Sequence, residues 1–203
     1  NSFQEKPRGN VKVVLLQPEL DPYNEKYSKD SLQILDELLT LAEQNSKGKV
    51  DFFIAPETAF PGRGSLSENG FNKSISINIA KEFLAKYPQS ILLTGASTHK
   101  FLFNESETEN YSVKLQDGVW ANSYNSALQI IPNQKVDVYH KGKLVPGVEI
   151  FPYIRFLKPI LGDAMLDFGG ATSSLGIDKE RKVFTNNFNK AKVAPIICYE
   201  SIY

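Results

Sequence analysis

The stretch Lys192-Val193-Ala194-Pro195-Ile196-Ile197-Cys198-Tyr199-Glu200 decides how this chain is read. It carries the only cysteine, at the point where an apolar run gives way to polar residues. Ile196-Ile197 and the residues before them predict an interior strand that ends at the cysteine. The C-terminal end of such a strand lies at the rim of a sheet, where α/β proteins build their sites. A free cysteine also behaves as a small hydrophobe, so the alternative is a buried structural thiol. The choice between them depends on whether the rest of the chain brings a base and a positive charge to the sulfur.

At 203 residues the chain is long enough for one domain with a substantial core, and residues 1–203 read as a single domain. There is no internal repeat and no linker to divide it. Hydrophobic content of 41% and charged content of 23% are those of an ordinary globular protein. Twenty-three Lys and Arg balance 23 Asp and Glu, which leaves no global field to attract nucleic acid. A single cysteine excludes an internal disulfide framework and a thiolate zinc site. No stretch approaches the roughly 18 consecutive apolar residues of a membrane span. The polar run Asn1 to Asn10 lacks the apolar core of a signal peptide. The sequence ends at Tyr203, five residues past the cysteine, which leads to the expectation of a fragment.

Upstream, the pattern alternates strands and helices. Val11–Leu16 is a first strand, closed by Gln17-Pro18. A loop containing Asp21-Pro22-Tyr23 leads to a helix over about 31–45, with Leu35, Leu38, Leu39 and Ala42 on one face and Gly48 as a stop. Asp51–Ala55 is the next strand, ended by Pro56-Glu57. The loop from Pro61 to Asn69 lacks the order of a phosphate-binding loop. A second helix is expected over about 73–86, with Ile75, Ile79 and Phe83 on its apolar stripe, followed by a strand at Ile91–Ala96. Residues 104–117 look like a polar excursion in which Tyr111 and Val113 can pair. Ser126–Ile131 and Lys135–Tyr139 form a hairpin around Pro132-Asn133-Gln134. Together these elements place the chain in the α/β class.

Two kinds of partner are available to Cys198. His99 and His140 lie at strand ends, but no motif surrounds either, so a Cys–His dyad has little support. The second kind is a carboxylate with an ammonium. Glu57, Glu149 and Glu200 all sit at element ends, and Lys141 ends the Val136–Tyr139 strand. Termini of neighbouring strands converge on one rim of an α/β sheet. There a Glu in a partly apolar site works as a general base, and a Lys stabilises a thiolate and then an oxyanion. The backbone N–H of Tyr199, the first after the nucleophile, supplies a second oxyanion donor.

The set Ala55-Pro56-Glu57, Tyr139-His140-Lys141-Gly142-Lys143-Leu144-Val145-Pro146 and Ile197-Cys198-Tyr199-Glu200 resembles the carbon–nitrogen hydrolase (nitrilase) superfamily. That resemblance runs from the Val11 strand to Tyr199. It implies a Glu–Lys–Cys triad of Glu57, Lys141 and Cys198, and a nitrilase-like four-layer α-β-β-α sandwich truncated on its C-terminal side. The wording Leu144-Val145-Pro146-Gly147-Val148-Glu149, then Phe151-Pro152, and the ending Cys198-Tyr199-Glu200-Ser201-Ile202-Tyr203 are similar to the apolipoprotein N-acyltransferase branch. Near Tyr27, where that branch often has Trp, this chain has Tyr.

The resemblance implies a two-step acyl transfer without metal or organic cofactor. The acyl donor is a phospholipid, the intermediate a thioester on Cys198, and the acceptor the α-amino group of a lipoprotein's diacylglyceryl-cysteine. It also implies placement on the periplasmic face of the bacterial inner membrane, with membrane association through parts outside this chain. Glu149 either orients Lys141 or caps nearby N–H groups, Tyr199 supports the oxyanion, and Glu200 is structural or supports the site residues from behind. Tyr153, Ile154 and Leu157 share one side of the apolar segment Phe151–Leu161, which contacts acyl chains or simply belongs to the core. Two other readings stay open: a soluble amidase or nitrilase using the same triad, and an inactive nitrilase-like binding domain.

Overall fold

A computed structural model describes residues 9–18, 30–60, 64–146, 149 and 175–203. Its centre is a seven-stranded sheet in which β1 (Val13–Leu15), β2 (Phe52–Ile54), β4 (Ile91–Leu102), β6 (Val119–Ile130) and β5 (Val113–Gln116) are neighbours in that order. The short β3 (Leu66–Ser67) pairs with the far half of β4, and β7 (Asp137–His140) pairs with β6. β1, β2 and β4 run parallel, with Val14 opposite Phe53 and Phe53 opposite Leu92. β4 and β6 are antiparallel over their whole length, from Leu92↔Ile130 to Leu102↔Trp120.

Side chains of a strand alternate between faces, and here both faces are apolar. Val14, Phe53, Leu92, Ala96, Leu128 and Ile130 point to one side. On that side lie α1 (Ser31–Gln44) and α2 (Ile75–Ala85). α1 buries Leu35, Leu38, Leu39 and Ala42, the face its spacing predicts. The other side presents Phe52, Leu93, Ala127 and Tyr139 to Phe184 and Ile197. Phe184 belongs to β8 (Phe184–Thr185), which pairs with β9 (Lys192–Val193) in a separate two-stranded sheet. The described residues thus stack a helical layer, the large sheet and the β8–β9 hairpin, an arrangement of the mixed α/β class. The hairpin at Pro132–Gln134 also forms, with Asn133 taking the positive φ (58°) of its turn.

Several sequence expectations need correction, among them the strand expected from Ser126, which begins at Val119. α2 begins at Ile75 and not at Lys73, because Ser74 caps it by accepting the Ile77 N–H, and residues Glu68–Lys73 form a 3-10 turn. Its buried face is therefore Ile77, Ala80, Phe83 and Leu84, while Ile75 is 64% exposed. The third strand runs on to Leu102, because the polar residues after Ala96 alternate and pair fully with β6. The expected interior strand Lys192–Cys198 shrinks to Lys192–Val193. Pro195 has no N–H to give a ladder, and the Ile197 N–H goes to the Glu200 carboxylate. Cys198 then starts a 3-10 turn, Cys198–Ile202, and is exposed, so it is not a buried structural thiol. The segment Phe151–Leu161, with Tyr153, Ile154 and Leu157, lies outside the described residues, as does Tyr27.

Phe53 is fully buried and meets Phe83 and Tyr87 edge-on at 5.2 and 5.1 Å. Phe53→Ala should lower stability by about 3–5 kcal/mol in urea titration. Leu15→Ala, in the neighbouring strand but 74% exposed, should stay within about 0.5 kcal/mol of the parent.

Candidate active site

Glu57 follows β2 in a turn pressed against β4. The Pro56 carbonyl accepts the N–H of Gly95 (3.1 Å) and of Ala59 (3.3 Å), and the Gly95 carbonyl accepts the Phe60 N–H (3.0 Å). The backbones approach so closely that a Cβ on Gly95 would lie 2.6 Å from the Glu57 Cα. Thr58, next in the chain, has φ +52°, a left-handed conformation that costs a residue with a branched Cβ about 1–3 kcal/mol.

Lys141 follows β7, with its backbone N–H bonded to the Asn125 carbonyl at 2.8 Å. It is 1% exposed. Its Nζ donates to Glu149 Oε1 at 2.8 Å and lies 3.8 Å from Glu57 Oε1. The Asn125 amide donates to both carboxylates, 2.6 Å to Glu57 and 3.3 Å to Glu149. Two acceptors and one ammonium thus share a small volume, with a neutral donor between the acceptors to offset their repulsion. Burial works against charge on Glu149. Lys141, the Val145 N–H (2.8 Å) and Asn125 outweigh it and hold the carboxyl below the usual range. Glu57 is the more open of the two, its side chain 37% exposed against 15% for Glu149.

Cys198 has φ +47°, a second strained conformation. Glu200, 3% exposed, holds the turn in place. One oxygen accepts the Ile197 N–H (2.8 Å). The other accepts the Tyr139 hydroxyl and the Gly142 N–H (2.7 Å), tying the Lys141 loop to the Cys198 turn. Burial, then the Glu200 carboxylate, push the Tyr139 phenol up to about 12, which keeps it a donor at all ordinary pH. The Tyr199 ring packs edge-on against Tyr203 at 5.5 Å.

Glu57 and Cys198 line the same cleft of about 390 Å³, whose other walls include Leu93, Ala127, Phe184, Ile196 and Ile197. The structure therefore gathers Glu57, Lys141 and Glu149 into one cluster, and puts Glu57 and Cys198 on one cleft. Glu149 pairs with Lys141 and accepts the Val145 N–H. The histidines serve elsewhere: His140 binds Glu68 and Asp178, and His99 meets the Ser65 hydroxyl at 3.0 Å. Asn125 escapes the sequence reading because the strand there is taken to begin at Ser126. Asn122, Ser123, Ser126 and Gln129 are polar in the same strand, so nothing local singles Asn125 out. Among the described residues no cluster of His, Cys, Asp and Glu has the arrangement of metal ligands.

No family model matches the chain. It is 28% identical over 197 residues, 95% of its length, to the apolipoprotein N-acyltransferase of Chlorobaculum tepidum, and spans 36% of that relative. Among solved structures it is similar to XC1258 of Xanthomonas campestris, a CN-hydrolase superfamily protein with an arsenic adduct in its active site. There the TM-score is 0.53 at 15% identity, over 95% of this chain and 55% of the other. The chain is thus similar in sequence to an apolipoprotein N-acyltransferase and has the carbon–nitrogen hydrolase fold.

The cluster makes stability depend on pH. A carboxyl held low in the folded state stabilises fully above its unfolded value, about 4.3 for Glu, and that contribution is lost as pH falls through the folded value. Glu149→Gln should therefore lower the urea midpoint at neutral pH, and the gap to the parent should close in acid. Gly95→Ala should cost about 1–3 kcal/mol, because the methyl meets backbone and not a side chain that can swing away.

Proposed function

We propose that this chain is the catalytic domain of an N-acyltransferase that moves a fatty acyl group from a phospholipid to the α-amino group of a lipoprotein's N-terminal diacylglyceryl-cysteine. The observation that carries the reading is the similarity to an apolipoprotein N-acyltransferase along 95% of the chain. A largely apolar cleft lined by both Glu57 and Cys198 supports it.

In the first step Glu57 takes the thiol proton of Cys198, and the sulfur attacks the ester carbonyl of the phospholipid. The tetrahedral oxyanion is held by the Lys141 ammonium and the Tyr199 N–H. The carbon–oxygen bond breaks, the proton on Glu57 passes to the departing alkoxide, lysophospholipid leaves, and a thioester remains on Cys198. In the second step the amine attacks the thioester carbonyl, Glu57 accepts the amine's proton, and collapse returns it to the departing thiolate. The amide is released and the thiol is restored. Thioester chemistry fits because the intermediate is made by a strong nucleophile yet stays reactive toward amines. Glu149 keeps Lys141 aimed, and Glu200 holds the Cys198 turn.

The reading places the domain on the periplasmic face of the bacterial inner membrane, where its lipid donor and lipoprotein acceptor meet. Among the described residues no helix is long and apolar enough to cross a membrane.

Incubation with a fluorescent phospholipid should yield a hydroxylamine-sensitive protein adduct that Cys198→Ala abolishes. Glu57→Gln and Lys141→Ala should each slow adduct formation by about 10²–10³-fold. An adduct of undiminished strength on Cys198→Ala sinks the thioester step. Rapid hydrolysis of small amides with no reaction on lipid shows an amidase instead.

A further inference from the structure

His140 stands next to Lys141 and has a carboxylate at each ring nitrogen. Nε2 lies 2.8 Å from Glu68 Oε1, and Nδ1 lies 3.0 Å from Asp178 Oδ1. An ionised carboxylate only accepts hydrogen bonds, so both nitrogens must carry protons for both contacts to hold. The ring stacks on Tyr124, 3.8 Å between centroids with an 18° tilt, in a geometry suited to a cation over an aromatic face. Glu68 is itself fixed by the Thr98 hydroxyl at 2.6 Å, and that hydroxyl meets Ser126 at 2.7 Å. Ser126 sits opposite His140 in the β6–β7 ladder.

Other titratable groups face this cluster. His99 and Lys100 of β4 act on Glu68, and Tyr111 interacts with Asp178. Burial opposes a charge on His140, but Glu68 and Asp178 outweigh it and raise its pKa above the ordinary imidazole value. Glu68 is held low in turn, with burial overcome by His140 and Thr98.

Asp178 brackets the segment that carries Lys141. Its second carboxylate oxygen accepts the His140 backbone N–H at 2.9 Å, and its carbonyl oxygen would lie 3.1 Å from a Cβ on Gly142. Lys141 lies between the bonded His140 N–H and this close approach at Gly142. The Glu68–His140–Asp178 bridge therefore reaches Lys141 through shared backbone and not by touching its ammonium.

We propose that His140 is a positioning residue: as an imidazolium bridged between Glu68 and Asp178, it fixes the backbone from which Lys141 reaches the oxyanion. This rests on the reading of Lys141 as catalytic. Loss of the ring proton sets a nitrogen lone pair against a carboxylate oxygen, one bridge opens, and the 140–142 segment shifts. A misplacement on the order of 1 Å costs about 10²-fold in rate.

The test follows the first half-reaction, fluorescent acylation of Cys198 from the phospholipid, from neutral to alkaline pH. In parallel, nitrogen-15 NMR follows the histidine rings, of which the sequence has two. The parent should show His140 protonated on both nitrogens at neutral pH, and acylation should fall with the same midpoint as that ring. Asp178→Asn removes one anion and should move both midpoints to lower pH together. His140→Gln should reduce the maximal acylation rate by about 10²-fold, with little change in the phospholipid concentration for half-saturation and no pH limb. A neutral His140 ring in the parent at neutral pH overturns the proposal. So does an acylation midpoint that stays put when Asp178→Asn moves the ring's. Lys141→Ala separates the two readings. If it slows acylation by about 10²–10³-fold while the profile ignores His140, the positioning role alone falls. If acylation keeps the parent rate without Lys141, the catalytic reading falls and takes this proposal with it.

Discussion

An ammonium group with 1% of its surface exposed cannot use water as its partner, so its charge must be met inside the protein. Lys141 meets that demand with Glu149 at 2.8 Å and Glu57 at 3.8 Å. The partners come from separate places: Glu57 from the end of β2, Asn125 from β6, Glu149 from the loop eight residues beyond Lys141. They converge only if β2, β4, β6 and β7 lie in that order, with β4 close enough to β2's exit to need a glycine at position 95. A chain that mispaired one strand would strand a buried charge, a cost of several kcal/mol. The cluster therefore enforces the sheet as much as the sheet builds the cluster.

Glu200 extends this arrangement toward Cys198. Its two oxygens join the Ile197 N–H, the Tyr139 hydroxyl and the Gly142 N–H. The Lys143 ammonium over the Tyr203 ring, 5.3 Å from its centroid, is a second and more exposed contact between the Lys141 loop and the Cys198 turn. Left-handed conformations at Thr58 and Cys198 fall next to Glu57 and at the thiol itself. Strain of about 1–3 kcal/mol per residue persists only where the surroundings over-determine it, and both sites are held by backbone bonds and buried carboxylates. Its location beside Glu57 and at Cys198 is consistent with the proposed chemistry.

Much of this was legible in the residues. The α1 face of Leu35, Leu38, Leu39 and Ala42, the positions of β1, β2 and the start of β4, and the 126–139 hairpin follow from apolar spacing and turn chemistry, which are local. The prominence of Glu57, Lys141 and Cys198 came from their shared position at the ends of apolar runs and from the wording around them. The apolar spacing misled at Lys192–Cys198. An apolar run cannot show that its N–H groups have no partner strand, or that a carboxylate three residues ahead takes the one from Ile197. Ile75 misled for a similar reason: hydrophobicity marks a possible face, but the start of the helix at Ser74 sets which face meets the sheet.

Asn125, Glu68 and Asp178 lay beyond reach for a different reason. Asn125 is 68 residues from Glu57, and Glu68 is 72 from His140, separations at which no local pattern links one to the other. By itself the sequence determined the fold class, the helix faces and the chemical types available at strand ends, because side-chain periodicity and turn propensity act over a few residues. The tertiary structure alone decided which carboxylate pairs with Lys141, which one holds the Cys198 turn and what surrounds His140. Those choices depend on strand order and register, and so on groups brought together only after the sheet has formed.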